Sequence, residues 1–190
     1  NGNYELDVHI ADVSYYVREN SLLDQEDLIR GTSIYMLGRV IPMLPRELSN
    51  GICSLNAGED RFTLSCSMEI DKKGKVISSE IYKGIIKVTE RMSYTYVHKI
   101  IDASDEVTLK RYQPYIQEFK NMEELAIILK NRRIEEGYLN LDIPESKIDL
   151  DIDGHVTNIS KYETTFAHEI IEQFMLTANE TIAEKFFWLE

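Results

Sequence analysis

The chain has 190 residues, 43% hydrophobic and 28% charged, and its 21 Lys and Arg face 33 Asp and Glu, a formal net charge of −12 at pH 7. That size suits one compact domain or a piece of a larger one, and the composition excludes a disordered or membrane-embedded chain. No run nears the roughly 18 consecutive apolar residues of a membrane span, and the acidic balance argues against a self-sufficient nucleic-acid binder, which needs clustered Lys and Arg to meet phosphate. Cys53 and Cys66 are the only cysteines. They lack CxxC spacing, and no secretory leader opens the sequence, so a reducing compartment is expected, with cytoplasm as the default.

In chain order, Tyr4, Leu6, Val8 and Ile10 alternate with Glu5, Asp7, His9 and Ala11, which predicts a half-buried strand. Asp12 follows on the apolar parity. A carboxylate carried to the core side of a strand end needs donors or a cation, so Asp12 is a candidate either for a structural hydrogen bond or for a place near a metal. A short helix is expected over Asp24–Ile29, stopped by Gly31, and residues 41–50 read as an irregular loop punctuated by Pro42 and Pro45. Arg61–Asp71 and Lys75–Val88 predict a hairpin around the turn Asp71-Lys72-Lys73-Gly74. Ser93–Ile101 predicts a short helix, and Pro114–Glu136 a longer one with Tyr115, Phe119, Met122, Ala126 and Leu129 at helical spacing and Gly137 to end it. Ile148, Leu150 and Ile152 alternate with Asp149, Asp151 and Asp153 into a second hairpin at Gly154, and a last helix starts near Thr164. Both ends fall inside predicted elements, so an internal piece of a longer chain is expected.

Asp149 to Gly154 matches the first half of an EF-hand loop, but Ser160 stands where the bidentate Glu belongs. His168-Glu169-Ile170-Ile171-Glu172 resembles the zinc helix HExxH with Glu172 in place of the second His; a His168/Glu172 metal pair shares one helix face but breaks the motif. At about 100° per residue, Glu169, Gln173, Thr177, Glu180 and Glu184 gather on a solvent face, with Ile170, Ile171, Phe174 and Ala178 opposite. A separate polar stripe holds His168, Glu172 and Asn179. It either lines a polar cleft or is buried and satisfied by neighbouring loops.

Four ordered blocks carry a family resemblance: His9 to Val17 (HIADVSYYV), Arg30 to Tyr35 (RGTSIY), Ile41 to Pro45 (IPMLP) with Leu48 to Asn56 (LSNGICSLN), and Ala167 to Asn179 (AHEIIEQFMLTAN). Together they resemble the RNB catalytic domain of the ribonuclease II and ribonuclease R family, nearer the ribonuclease R side, in collinear order over essentially the whole chain. The resemblance implies an α+β fold, an antiparallel-rich mixed sheet with packed helices, here the central part of a single RNB-type domain over residues 1–190, truncated at both ends. It implies a processive 3′ to 5′ exoribonuclease that hydrolyses single-stranded RNA with Mg2+ to nucleoside 5′-monophosphates, with flanking OB-type RNA-binding domains.

The resemblance also assigns residues. Tyr35 aligns with an aromatic that stacks on a base at the RNA 3′ end, Tyr94 with a tyrosine near the ribose, and Glu172 with an active-site glutamate. The family's second base-stacking aromatic aligns with Leu141, which has no π face, so Tyr138 is an alternative clamp. The sequence lacks the D-x-x-D-x-D-D run that holds metal in the family and the S-P-I-R-R-Y-like block that carries a catalytic arginine. No complete metal site is therefore expected within the chain, with Asp12 at most behind the direct ligands, and the isolated piece is expected to be inactive. The alternatives are a non-catalytic RNA-binding scaffold of the same family, or a helix-borne metal enzyme using His168 and Glu172.

Overall fold

The computed structural model describes residues 2–139, 143 and 145–189. Strand β1 (Tyr4–Ala11) runs antiparallel to β4 (Asp60–Ile70), which pairs on its other side with β5 (Val76–Lys87). The central strand uses both faces. Cys66, Met68 and Ile70 are buried on one side, and Thr63 and Ser65 on the other, where the Ser65 hydroxyl bonds His9 Nδ1 at 2.7 Å and Thr63 Oγ1 at 3.0 Å. Against the apolar side pack helices α5 (Ile116–Glu135) and α6 (Phe166–Phe187). One core therefore joins Leu6, Cys66, Met68 and Ile70 to Leu125, Ala126 and Leu129 of α5 and to Ile170, Phe174 and Ala178 of α6. Each large side chain buried there is worth about 1.5–3 kcal/mol.

The hairpin turn between β4 and β5 is tied to α5. The Asp71 carboxylate accepts the N–H groups of Lys73 and Lys75 at 2.8 and 2.9 Å, and these bonds, Lys75 first, hold its pKa below the ordinary carboxylate value. Gly74 has φ +78°, and a side chain there would meet Ile128 Cγ2 at 3.1 Å; Arg132 instead donates to the Gly74 carbonyl at 2.7 Å. Only glycine suits both the left-handed backbone and the close approach.

The smaller elements form the periphery. After α1 (Val13–Tyr16), helix α2 (Leu22–Arg30) starts where the Ser21 side chain accepts the Asp24 N–H and stops at Gly31, φ +68°. Strands β2 (Ile34–Met36) and β3 (Arg39–Ile41) make a hairpin, followed by a π-helical turn over Glu47–Ile52. The expected irregular loop over 41–50 thus holds the end of a strand and most of a helical turn. Helix α3 (Tyr94–Ile101) opens on the Ser93 cap, and α4 (Glu106–Arg111), absent from the sequence expectation, precedes a 3-10 turn over Gln113–Tyr115. Strands β6 (Ser146–Leu150) and β7 (Val156–Lys161) form the second hairpin. Ile152, expected to continue its alternation, lies in the turn and is fully exposed. The class is α+β as expected, and among the described residues every ladder between these strands is antiparallel, with a lone parallel bridge from Ala57 to Val88.

Candidate functional site

Helix α6 begins at Thr165, whose backbone N–H donates to His168 Nδ1 at 3.1 Å, with the Thr165 hydroxyl at 3.1 Å from the same nitrogen. A backbone N–H can only donate, so Nδ1 accepts and the ring hydrogen sits on Nε2, which faces the Tyr162 hydroxyl at 3.4 Å. Tyr94, the first residue of α3, lies face to face with His168, ring centroids 3.9 Å apart and planes 18° from parallel. Tyr162 meets the same imidazole edge-on, ring centroids 6.0 Å apart. These rings line an open cleft of about 620 Å³ between the start of α3, the end of β7 and the start of α6, with Lys147, Lys161 and Thr95 also on its walls.

One turn along α6 from His168 stands Glu172, exposed, its Oε1 accepting the Tyr138 hydroxyl at 3.3 Å. Asn179 on the same stripe is exposed as well, whereas His168 is half-buried beneath Tyr94 and beside Tyr162. The face assigned to solvent by the helical wheel is covered in its middle, at Gln173 and Thr177, while Glu180 and Glu184 are exposed. Gln173 and Thr177 are 2% and 3% exposed; Arg133 of α5 donates to Gln173 Oε1 at 3.1 Å and to Thr177 Oγ1 at 3.2 Å, and pairs with Glu180. Glu169 is likewise paired, with Lys130. Among the residues assigned to the apolar face, Ile171 is 43% exposed.

Tyr35 projects from β2, 80% exposed, as a base-stacking ring would need to be. Its hairpin reaches the second one, since a side chain at Gly38 would lie 3.6 Å from Leu150 Cδ1 on β6. Leu141 lies outside the described residues. Tyr138, the alternative clamp, has its hydroxyl engaged by Glu172. Asp12 is buried, accepts the Ser14 hydroxyl at 2.6 Å and pairs with Lys83 at 3.0 Å; these two partners, Ser14 first, lower its pKa against the opposing effect of burial.

These carboxylates do not fit a divalent metal. Asp12 is committed to Ser14 and Lys83, Glu172 accepts the Tyr138 hydroxyl, and Glu169, the nearest acid on α6, is paired with Lys130. Among the described residues the one cluster with metal-ligand spacing is Asp151, Asp153 and His155, all exposed on the β6–β7 turn. There the Asp151 carboxylate accepts the N–H groups of His155 and Asp153 at 2.8 and 3.0 Å, so the turn itself accounts for the grouping. Sequence reasoning missed Tyr162 and the contact between Tyr94 and His168. An aromatic three residues before a helix cap was the available signal for Tyr162, but nothing local pairs residues 94 and 168.

The RNB domain model matches residues 1–190 of this α+β chain, and the chain belongs to the RNB domain family. Within it, the chain is 48% identical over 98% of its length to Ribonuclease R of Thermotoga maritima and 50% identical over 98% to Ribonuclease R 1 of Lactococcus lactis subsp. lactis, spanning 26% and 23% of those proteins. Among solved structures, Mycoplasma genitalium RNase R in complex with ribose methylated single-stranded RNA matches with a TM-score of 0.86 at 33% identity, over 94% of this chain and 28% of that one. The chain thus spans about a quarter of the length of these relatives. No described helix is long and apolar enough to cross a membrane.

Proposed function

We propose that these 190 residues are the central part of the single catalytic domain of a processive 3′ to 5′ exoribonuclease, which hydrolyses single-stranded RNA to nucleoside 5′-monophosphates. The observation that carries the reading is the grouping at the start of α6 in a chain of the RNB family: half-buried His168 with Tyr94 stacked on it, both lining an open cleft, and exposed Glu172 one turn further along the helix. Tyr94 presents a phenol to the ribose of the terminal nucleotide, where the 2′-hydroxyl separates RNA from DNA. Glu172, oriented by Tyr138, accepts hydrogen bonds from that nucleotide, and Tyr35 stacks on a base, which gives affinity without sequence preference. Magnesium, held by ligands outside these residues, would act as a Lewis acid that activates the attacking water and polarises the phosphodiester. Its ligands, the charge-compensating arginine and the OB-type domains that add basic surface belong to other parts of the protein, which works in the cytoplasm. The net charge of −12 supports that division, because this piece alone repels phosphate.

The test is incubation of the full-length protein with uniformly labelled single-stranded RNA and Mg2+. Stepwise release of 5′-mononucleotides is expected, with Glu172→Ala slowing hydrolysis while Tm stays within a few degrees, as for a loss of about 1 kcal/mol. RNA binding without mononucleotide release would identify the scaffold alternative. The 190 residues alone should release none; reproducible release abolished by Glu172→Ala would show that the oxygen ligands assigned elsewhere are dispensable.

A further inference from the structure

We infer that His168 is a positioning residue that holds the Tyr94 ring in the orientation from which its phenol meets the terminal ribose; this rests on the reading of Tyr94 as the ribose contact. Tyr94 is the first residue of its helix and 45% exposed, so the packing of α3 does not by itself select one rotamer. The face of its ring is covered by the imidazole of His168 at 3.9 Å. That imidazole is fixed on both sides: Nδ1 takes the Thr165 N–H and faces the Thr165 hydroxyl, while Nε2 faces the Tyr162 hydroxyl. The cap of α6 is thereby transmitted through one flat ring to Tyr94. Capping alone does not call for histidine. The residue three places after a Thr cap is ordinarily Glu or Gln, whose side chain satisfies the same N–H. What histidine adds is a plane to stack on.

Two substitutions separate these jobs: His168→Gln keeps a capping acceptor and loses the plane, and His168→Phe keeps the plane and loses the acceptor. The readout is the ratio of Kd values of the full-length protein for two oligoribonucleotides that differ only in a ribose or a 2′-deoxyribose at the 3′-terminal nucleotide, with Tm measured alongside. The unmodified protein should prefer ribose. Tyr94→Phe and His168→Gln should each shrink the preference about fivefold, the scale of one hydrogen bond, and the double variant should shrink it no further. His168→Phe should keep most of the preference even where its Tm falls. If Tyr94→Phe lowers the preference and His168→Gln does not, the inference is overturned and the ribose reading stands. Equal loss in the Gln and Phe variants, or loss only in the Phe variant, also overturns it, because the plane is then not what matters. A Tyr94→Phe variant with unchanged preference refutes the ribose reading itself and the role of His168 with it.

Discussion

Helix α6 carries two polar stripes with opposite fates. Gln173 and Thr177 are buried against Arg133 of α5, which also pairs with exposed Glu180, while His168 is half-buried beneath Tyr94 and Glu172 is exposed beside Tyr138. Polarity along a helix therefore does not say which side meets water. A polar stripe is buried at little cost when a single guanidinium satisfies several acceptors at once, and the hydrophobic core on the adjoining face, Ile170, Phe174 and Ala178, is then free to seat the helix on the sheet. The other stripe is spared that packing role: His168 supports Tyr94 in the cleft, and Glu172 stays exposed.

The contrast breaks most visibly at Arg133. Arg133→Ala leaves Gln173 and Thr177 buried without their donor, and unfolding by heat or urea should show a loss of about 2–4 kcal/mol. Replacing Arg133, Gln173 and Thr177 together by Met, Leu and Val should recover most of it. If Arg133→Ala is as mild as an exposed-surface change, the buried stripe does not hold the helices together.

On the open side the expected effects are on RNA rather than on folding. Tyr35→Ala should weaken single-stranded RNA binding by about 1–3 kcal/mol or change the length of the shortest product, and Tyr35→Phe should be mild because the ring remains. Equal damage from both would favour a role for the hydroxyl over stacking. Tyr138→Phe should cost under about 1 kcal/mol of stability, since it removes one exposed hydrogen bond, yet lower the hydrolysis rate by releasing Glu172. An unchanged rate would mean that Glu172 needs no orientation from Tyr138.

The smallest effect concerns acid. Because Asp12 has a lower pKa folded than unfolded, its contribution is fully present above the ordinary value of 3.8 and is lost as pH falls through the depressed one. Lys83 is 68% exposed, so solvent screens the pair and the contribution is modest. Asp12→Asn should therefore flatten the fall of stability below about pH 4 and leave its slope near neutrality unchanged. An unaltered acid limb would mean that another carboxylate sets it, with Asp71 and Asp105, whose pKa values are also lowered, the next to test.

How much of this was legible follows from the range of each interaction. The sheet was readable because β1 alternates strictly and Asp71 to Gly74 spells a turn, both local patterns. The β2–β3 hairpin was not: Ile34, Tyr35 and Met36 are all exposed, so no alternation marks a buried face. Helix α4 is six residues long, too short to display a period. Glu172 and Tyr94 were legible through family resemblance, but the buried stripe of α6 depends on Arg133, forty residues upstream of Gln173, and the stack joins residues 94 and 168. A helical wheel holds no information about a partner on another element.

The division between the two stripes is tested most directly by photocrosslinking the full-length protein to an RNA that ends in 4-thiouridine and mapping the attachment sites. A second cleft of similar size, about 620 Å³, lies on the Arg133 side, bounded by Lys75, Arg132, Thr177 and Lys185, and serves as the internal competitor. Crosslinks at Tyr94 and within residues 162–172, lost on Tyr94→Ala, are the expected result. Crosslinks concentrated around Lys75, Arg132 and Lys185 would place the RNA end against the stripe assigned here to structure, and would contradict the assignment of the site.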